Sequence, residues 1–161
     1  MTVATDPRKT GLTAGATLVA ASAVALSVSN TTSEEALVTV SLPPPGVNGG
    51  YEVRTVWTVT NGANAKTPRI RLGGIGGTVY LGSAKTTIAS YSDSRRIRNR
   101  GVTNSQVGSG SASVSFGDSG SAIVTSSVDW SVASDLVLSG QKAVGTDVLT
   151  LESYEIWHLP G

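Results

Sequence analysis

Cysteine is absent from the chain, which excludes disulfides, thiol catalysis, iron–sulfur clusters and thiolate zinc sites. Histidine occurs once, as His158, so no metal site built from two or three histidines fits within one subunit. Charge is scarce too. Of 161 residues 14% are Asp, Glu, Lys or Arg, and 12 basic against 11 acidic residues leave a net +1. That balance offers no electrostatic footprint for nucleic acid or an anionic membrane. No apolar run reaches the roughly 18 residues of a membrane span. Arg8-Lys9 ahead of Ala14 to Val28 has the outline of a signal peptide, but Asp6 sits in the basic part, and Thr17 and Ser22 interrupt the apolar part.

What is abundant points one way. There are 22 Ser, 20 Val, 19 Thr and 19 Gly against a single Met, a composition poor in helix formers and rich in strand and turn formers. Apolar residues, 39% of the chain, recur in patterned runs, so disorder is not expected. Residues 1–16 have weak periodicity and are expected to form an N-terminal arm, ahead of one domain over 17–161. Within it the runs are short, and each is closed by turn chemistry. Ala23 to Ser29 alternates large and small residues. Ala36 to Leu42 alternates up to Pro43-Pro44-Pro45-Gly46. Tyr51, Val53, Thr55, Trp57 and Val59 alternate with Glu52, Arg54, Val56 and Thr58, the clearest strand of all. Asn61-Gly62 then predicts a hairpin returning along Arg69 to Leu72. Further short strands are expected at Thr78 to Gly82, Thr86 to Tyr91, Ala112 to Phe116, Ile123 to Val132, Asp135 to Gln141 and Val148 to Leu159. Roughly eight to ten strands without an amphipathic helix predict an all-β fold, an antiparallel two-sheet sandwich of jelly-roll type.

Gly117-Asp118-Ser119-Gly120-Ser121 resembles the stretch around the nucleophile of chymotrypsin-like serine proteases. That chemistry needs a general base within reach of the hydroxyl. In that family the histidine precedes the serine by a long stretch of chain, whereas His158 follows Ser119, and the carboxylate that orients the base has no matching segment. The pentapeptide is therefore expected to be a polar turn, and the protein is not expected to be an enzyme. Gly73 to Gly77 lacks the Gly-Lys-Ser/Thr ending of a phosphate loop, the aspartates show no calcium-loop spacing, and no cofactor is implied.

The sharpest charge feature is Arg95, Arg96, Arg98 and Arg100, half of the eight arginines within six residues. Guanidinium forks suit carboxylates and carbonyls, on the same domain or on a neighbouring subunit, and these four are expected at an inter-subunit contact. Nucleic acid would ask for a wider basic surface with interleaved aromatics. Trp57 shares a strand face with Val59 and is expected in the core. Trp130 and Trp157 flank strand ends and are candidate surface aromatics, for an interface or for stacking on a sugar.

Three stretches carry a resemblance: Val56 to Thr67, Arg96 to Gln106, and Ser139 to Glu152. They are similar in style to small β-sandwich structural proteins of tailed bacteriophages, which decorate heads or build head fibres and tail appendages. The resemblance covers roughly residues 35–158. It implies a virion structural role, usually as a homotrimer, with other virion proteins such as a major capsid protein as partners and neither nucleic acid nor membrane. The alternative it leaves open is a tail-associated receptor- or carbohydrate-binding module.

Overall fold

The computed structural model describes residues 15–110 and 120–161, and all regular structure among them is β-strand. In chain order the strands are β1 (Thr17–Ser22), β2 (Leu26–Ser27), β3 (Glu35–Leu42), β4 (Gly50–Val59), β5 (Lys66–Leu72), β6 (Thr78–Leu81), β7 (Ser90–Asn99), β8 (Gln106–Gly108), β9 (Val124–Ser126), β10 (Ser134–Lys142) and β11 (Leu149–Leu159). They form two antiparallel sheets. The large sheet has seven strands in the order β1-β11-β4-β7-β8-β9, with β2 also on β11, and the small sheet has four in the order β3-β10-β5-β6. β1 and β2 pair with successive parts of β11 and act as one interrupted edge strand. With β8 and β9 counted as an insertion, eight strands remain. The first, eighth, third and sixth make one sheet, and the second, seventh, fourth and fifth the other. That order is a jelly roll, as the composition and strand spacing predict.

The core lies between the sheets. β4 turns Tyr51, Val53, Trp57 and Val59 inward, and they meet Ile70 and Leu72 of β5, Leu136 and Leu138 of β10, and Leu149, Leu151 and Ile156 of β11. Each such side chain contributes about 1.5–3 kcal/mol by leaving water. A one-residue slip would turn this whole set to solvent, so the alternation pins the register.

Several expectations are corrected. Asn61-Gly62 does not close a hairpin. β11 and β7 occupy both edges of β4, so the chain after Val59 crosses to the other sheet to begin β5. The basic stretch from Ser92, conspicuous in the sequence only for its charge, is most of β7, and of the strand expected over Thr86 to Tyr91, Thr86 to Ala89 lies outside it. The strand expected over Ile123 to Val132 shrinks to β9, and of Ala23 to Ser29 only Leu26-Ser27 is strand. Thr17–Ser22, which has no alternation to reveal it, is β1. The strand expected at Ala112 to Phe116, Gly117 to Ser119 of the protease-like stretch, and most of the arm lie outside the described residues.

One side of the sandwich is stitched shut. β6 lies against β7 and β9, and Tyr80 of β6 shares a 2.7 Å hydrogen bond with Ser126 of β9. On the other side β1–β2 and β3 end their sheets, with no further strand paired to them among the described residues.

Candidate interaction surface

Strand alternation puts Glu52, Arg54 and Val56 of β4 on the outer face of the large sheet, opposite Trp57 and its neighbours. The antiparallel register aligns other outward residues beside them. Glu52 lies between Trp157 of β11 and Arg96 of β7, and Arg54 lies between Glu155 and Ser94. Leu18 of β1 extends the first row beyond Trp157. The result is an array of alternating charge with an indole in it, carried on paired strands.

Glu52 is its centre. Arg54 Nε donates to Oε1 at 2.7 Å, Arg96 Nε to Oε2 at 2.9 Å, and Ser94 Oγ to Oε1 at 3.0 Å. Burial pushes the Glu52 carboxyl up, but these three hydrogen bonds outweigh it and hold it below the usual carboxylate range. The carboxylate is covered, with 7% of its side chain exposed, while Arg96 is 70% and Arg54 52% exposed. The acid is thus spent within the face, and the guanidinium groups are what the face presents. Arg54 also lies 5.8 Å from the Trp157 ring centroid and 3.6 Å from Glu155, whose Oε2 accepts the indole N–H at 2.9 Å.

Of the four clustered arginines, the structure brings Arg96 and Arg98 to this face. Arg98 donates to the carbonyls of Asn48 and Pro160, at 3.0 and 3.1 Å from Nη2, and so ties the C-terminal end to the loop before β4. Arg100 follows β7 and is exposed. Arg95 is a correction. It shares the inward face of β7 with Ile97, is 6% exposed, and donates to Asp93, Ser109 and the Gly110 carbonyl, so its fork is consumed inside the domain. Trp130 is the second correction. It is fully buried, edge-on to Tyr51 at 5.5 Å between ring centroids, because the turn after β9 folds it into the core. Trp157 is the partly exposed one. Sequence reasoning missed Glu52, Arg54 and Glu155. The available signal was Glu52 and Arg54 two apart on one strand, which places opposite charges side by side on one face.

His158 faces inward, tilted against Tyr51 at 5.5 Å. Among the described residues no group of three or more His, Cys, Asp or Glu is placed to hold a metal ion.

No protein-family model matches the chain, and no curated protein matches it in sequence. Solved structures similar to it include the CBM2 module of the evolved Dit of Lactobacillus casei BL23 phage J-1, with 12% identity, a TM-score of 0.38, and 76% of this chain and 69% of that one covered. Others are infectious bursal disease virus, Gx strain (13% identity, TM-score 0.32), and the infectious bursal disease virus VP2 subviral particle (15% identity, TM-score 0.31). For these two, 90% of this chain aligns, over 40% and 41% of theirs. At such values these likenesses assign neither an activity nor a partner.

Proposed function

We propose that this protein is a non-enzymatic virion structural protein. In this reading it is a capsid decoration, cement or head-fibre subunit, packed as a homo-oligomer, a trimer, on a larger lattice such as one built by a major capsid protein. The observation that carries this reading is the outer face of the large sheet. Arg96, Arg54 and Trp157 stand on adjacent strands around a covered carboxylate, and exposed guanidinium forks held in place beside an indole suit the carboxylates and carbonyls of another protein. The jelly-roll order is compatible with it, since viral capsid domains use that architecture, as lectins also do. A sugar-binding groove between Trp130 and Trp157 has no support, because Trp130 is in the core.

The test is sedimentation of the wild type beside Arg96→Ala, Arg98→Ala and Trp157→Ala, with immunogold labelling of virions made from the genome that encodes the chain. The reading expects label on the particle and weaker assembly or attachment in the variants, with unchanged circular dichroism. Unlabelled virions would overturn it. Retention of the wild type, but not Trp157→Ala, on a glycan array would transfer the face to the tail-module alternative.

A further inference from the structure

We infer that the free edge formed by β1 and β2 is a pairing site for a second copy of this chain, related by a two-fold axis. Open strand edges expose unpaired N–H and C=O groups, and proteins ordinarily guard them with charge, proline or a cover. Among the described residues this edge has no such guard. From Gly15 to Ser33 there is neither a charged residue nor a proline, and the strand residues are Thr, Leu, Val, Ala and Ser. β3, the edge of the small sheet on the same side, is uncharged from Ala36 to Leu42. The two carboxylates between them are turned to local partners. Glu34 is held by Arg71, Arg69 and Ser139, and Glu35 accepts from the Ser29 N–H and hydroxyl at 2.7 Å each.

The occupant follows from shape. β1 stops at Ser22 and β2 starts at Leu26, and the break leaves a shallow depression of about 480 Å³ lined by Ala21, Ser22, Ala23, Ser153, Tyr154 and Glu155. Beside it stands Val24, 70% exposed. A knob and a hollow adjacent on one edge are what a two-fold axis can satisfy twice at once, Val24 of each copy entering the hollow of the other. An uncharged edge also meets its own copy without like-charge repulsion. Antiparallel pairing about an axis normal to the sheet would continue the large sheet from one copy into the next and bring the β3 edges toward each other. The hollow shares Glu155 with the Trp157 part of the outer face, but Arg96 and Arg98 lie on β7, three strands from β1, so the two contacts can be tested apart.

The experiment measures self-association by sedimentation equilibrium, together with amide hydrogen exchange at Leu18 to Ser22. The chains compared are the full wild type, Val24→Glu, and Val102→Glu as an exposed control elsewhere, each also in an Arg96→Ala/Arg98→Ala background to remove the other face. The expected result is a two-fold association in both backgrounds that Val24→Glu weakens about a hundredfold by bringing a second carboxylate against Glu155 in the other copy's hollow, while Val102→Glu leaves it intact. Edge amides should be protected more as concentration rises. Val24 is exposed, so thermal unfolding of Val24→Glu should match the wild type and exclude misfolding. Concentration-independent exchange at the β1 amides, or equal association of wild type and Val24→Glu, would overturn the inference even if the Arg face proves to be an interface.

Discussion

Arg96 and Glu52 face each other across the β4–β7 pairing, 2.9 Å from Nε to Oε2, one largely exposed and the other covered. The covered partner sets the geometry of the exposed one. Glu52→Gln keeps the shape but removes the charge that Arg54 and Arg96 share. Hydrogen bonds to charged groups contribute about 1.5–3 kcal/mol, at the low end where one partner is solvated. Chemical denaturation of Glu52→Gln should therefore show a loss of about 1–2 kcal/mol. In NMR spectra the Arg54 and Arg96 Nε–H signals should move toward free-arginine positions. Unmoved signals would show that the carboxylate does not orient the forks.

Glu34 plays the matching part on the outer face of the small sheet. Arg71 grips it at both oxygens at 2.7 Å, and Ser139 Oγ donates at 2.6 Å. Burial pushes the Glu34 carboxyl up, but Arg71, Ser139 and Arg69 together hold it below the usual range, as happens at Glu52. A carboxylate with a depressed folded pKa contributes stability that is complete above its unfolded value. That stability is lost as pH falls through the folded value. Melting temperature should thus hold from neutral pH down to about 5 and fall below about 4, where unfolded glutamates take up protons first. Glu34→Gln should be less stable at neutral pH and show a shallower acid loss. An acid profile identical to the wild type would sink this assignment.

The stitched side of the sandwich depends on a glycine. A Cβ at Gly108 would lie 2.7 Å from Tyr80 Cδ1 and 3.0 Å from the Arg96 carbonyl oxygen, and Tyr80 is 1% exposed with nowhere to go. Gly108→Ala should therefore cost about 1–3 kcal/mol by overpacking. Tyr80→Phe, which loses only the bond to Ser126, should cost about 1 kcal/mol. Equal stability of Gly108→Ala and wild type would mean that Tyr80 has room to move.

The strands most legible in the sequence are those whose inward positions are apolar: β4 with Trp57 and Val59, β3, β10 and β11. Their period of two is set by the core they make. β7 was legible only as a basic stretch, because its inward positions are Tyr91, Asp93, Arg95, Ile97 and Asn99. Ile97 alone is aliphatic, the others being held by polar contacts such as Arg95 to Asp93 and Asn99 to Gln106. A polar interior leaves no hydrophobic period to read. Arg95 and Arg96 look alike as sequence, yet adjacent residues of a strand point to opposite faces, and one is buried while the other is presented. Trp130 misled for a different reason. It lies in a turn, where burial follows from the path of the chain over Tyr51 rather than from alternation.

Gln106 is the least conspicuous of these interior polar groups and the most connected. It is fully buried. Its Nε2 lies 2.9 Å from Asn99 Oδ1, 3.0 Å from the Thr103 carbonyl and 2.9 Å from the Val128 carbonyl. Its Oε1 accepts from Ser126 Oγ at 2.9 Å and the Val128 N–H at 3.0 Å. One amide thereby joins the end of β7, the loop after it, and the segment that leads from β9 to Trp130. Gln106→Leu should leave several buried donors and acceptors unpaired at once, costing about 3 kcal/mol or more. Gln106→Glu should cost at least as much at neutral pH, since a carboxylate would face three acceptor oxygens. Its sign with pH is opposite to that of Glu34. The introduced carboxyl would have a raised folded pKa, so its penalty relative to the wild type grows as pH climbs past the unfolded value and shrinks again near pH 4. Denaturation of Gln106→Glu and wild type at both pH values measures that difference directly. A penalty independent of pH would mean that the new side chain leaves the interior rather than ionising within it.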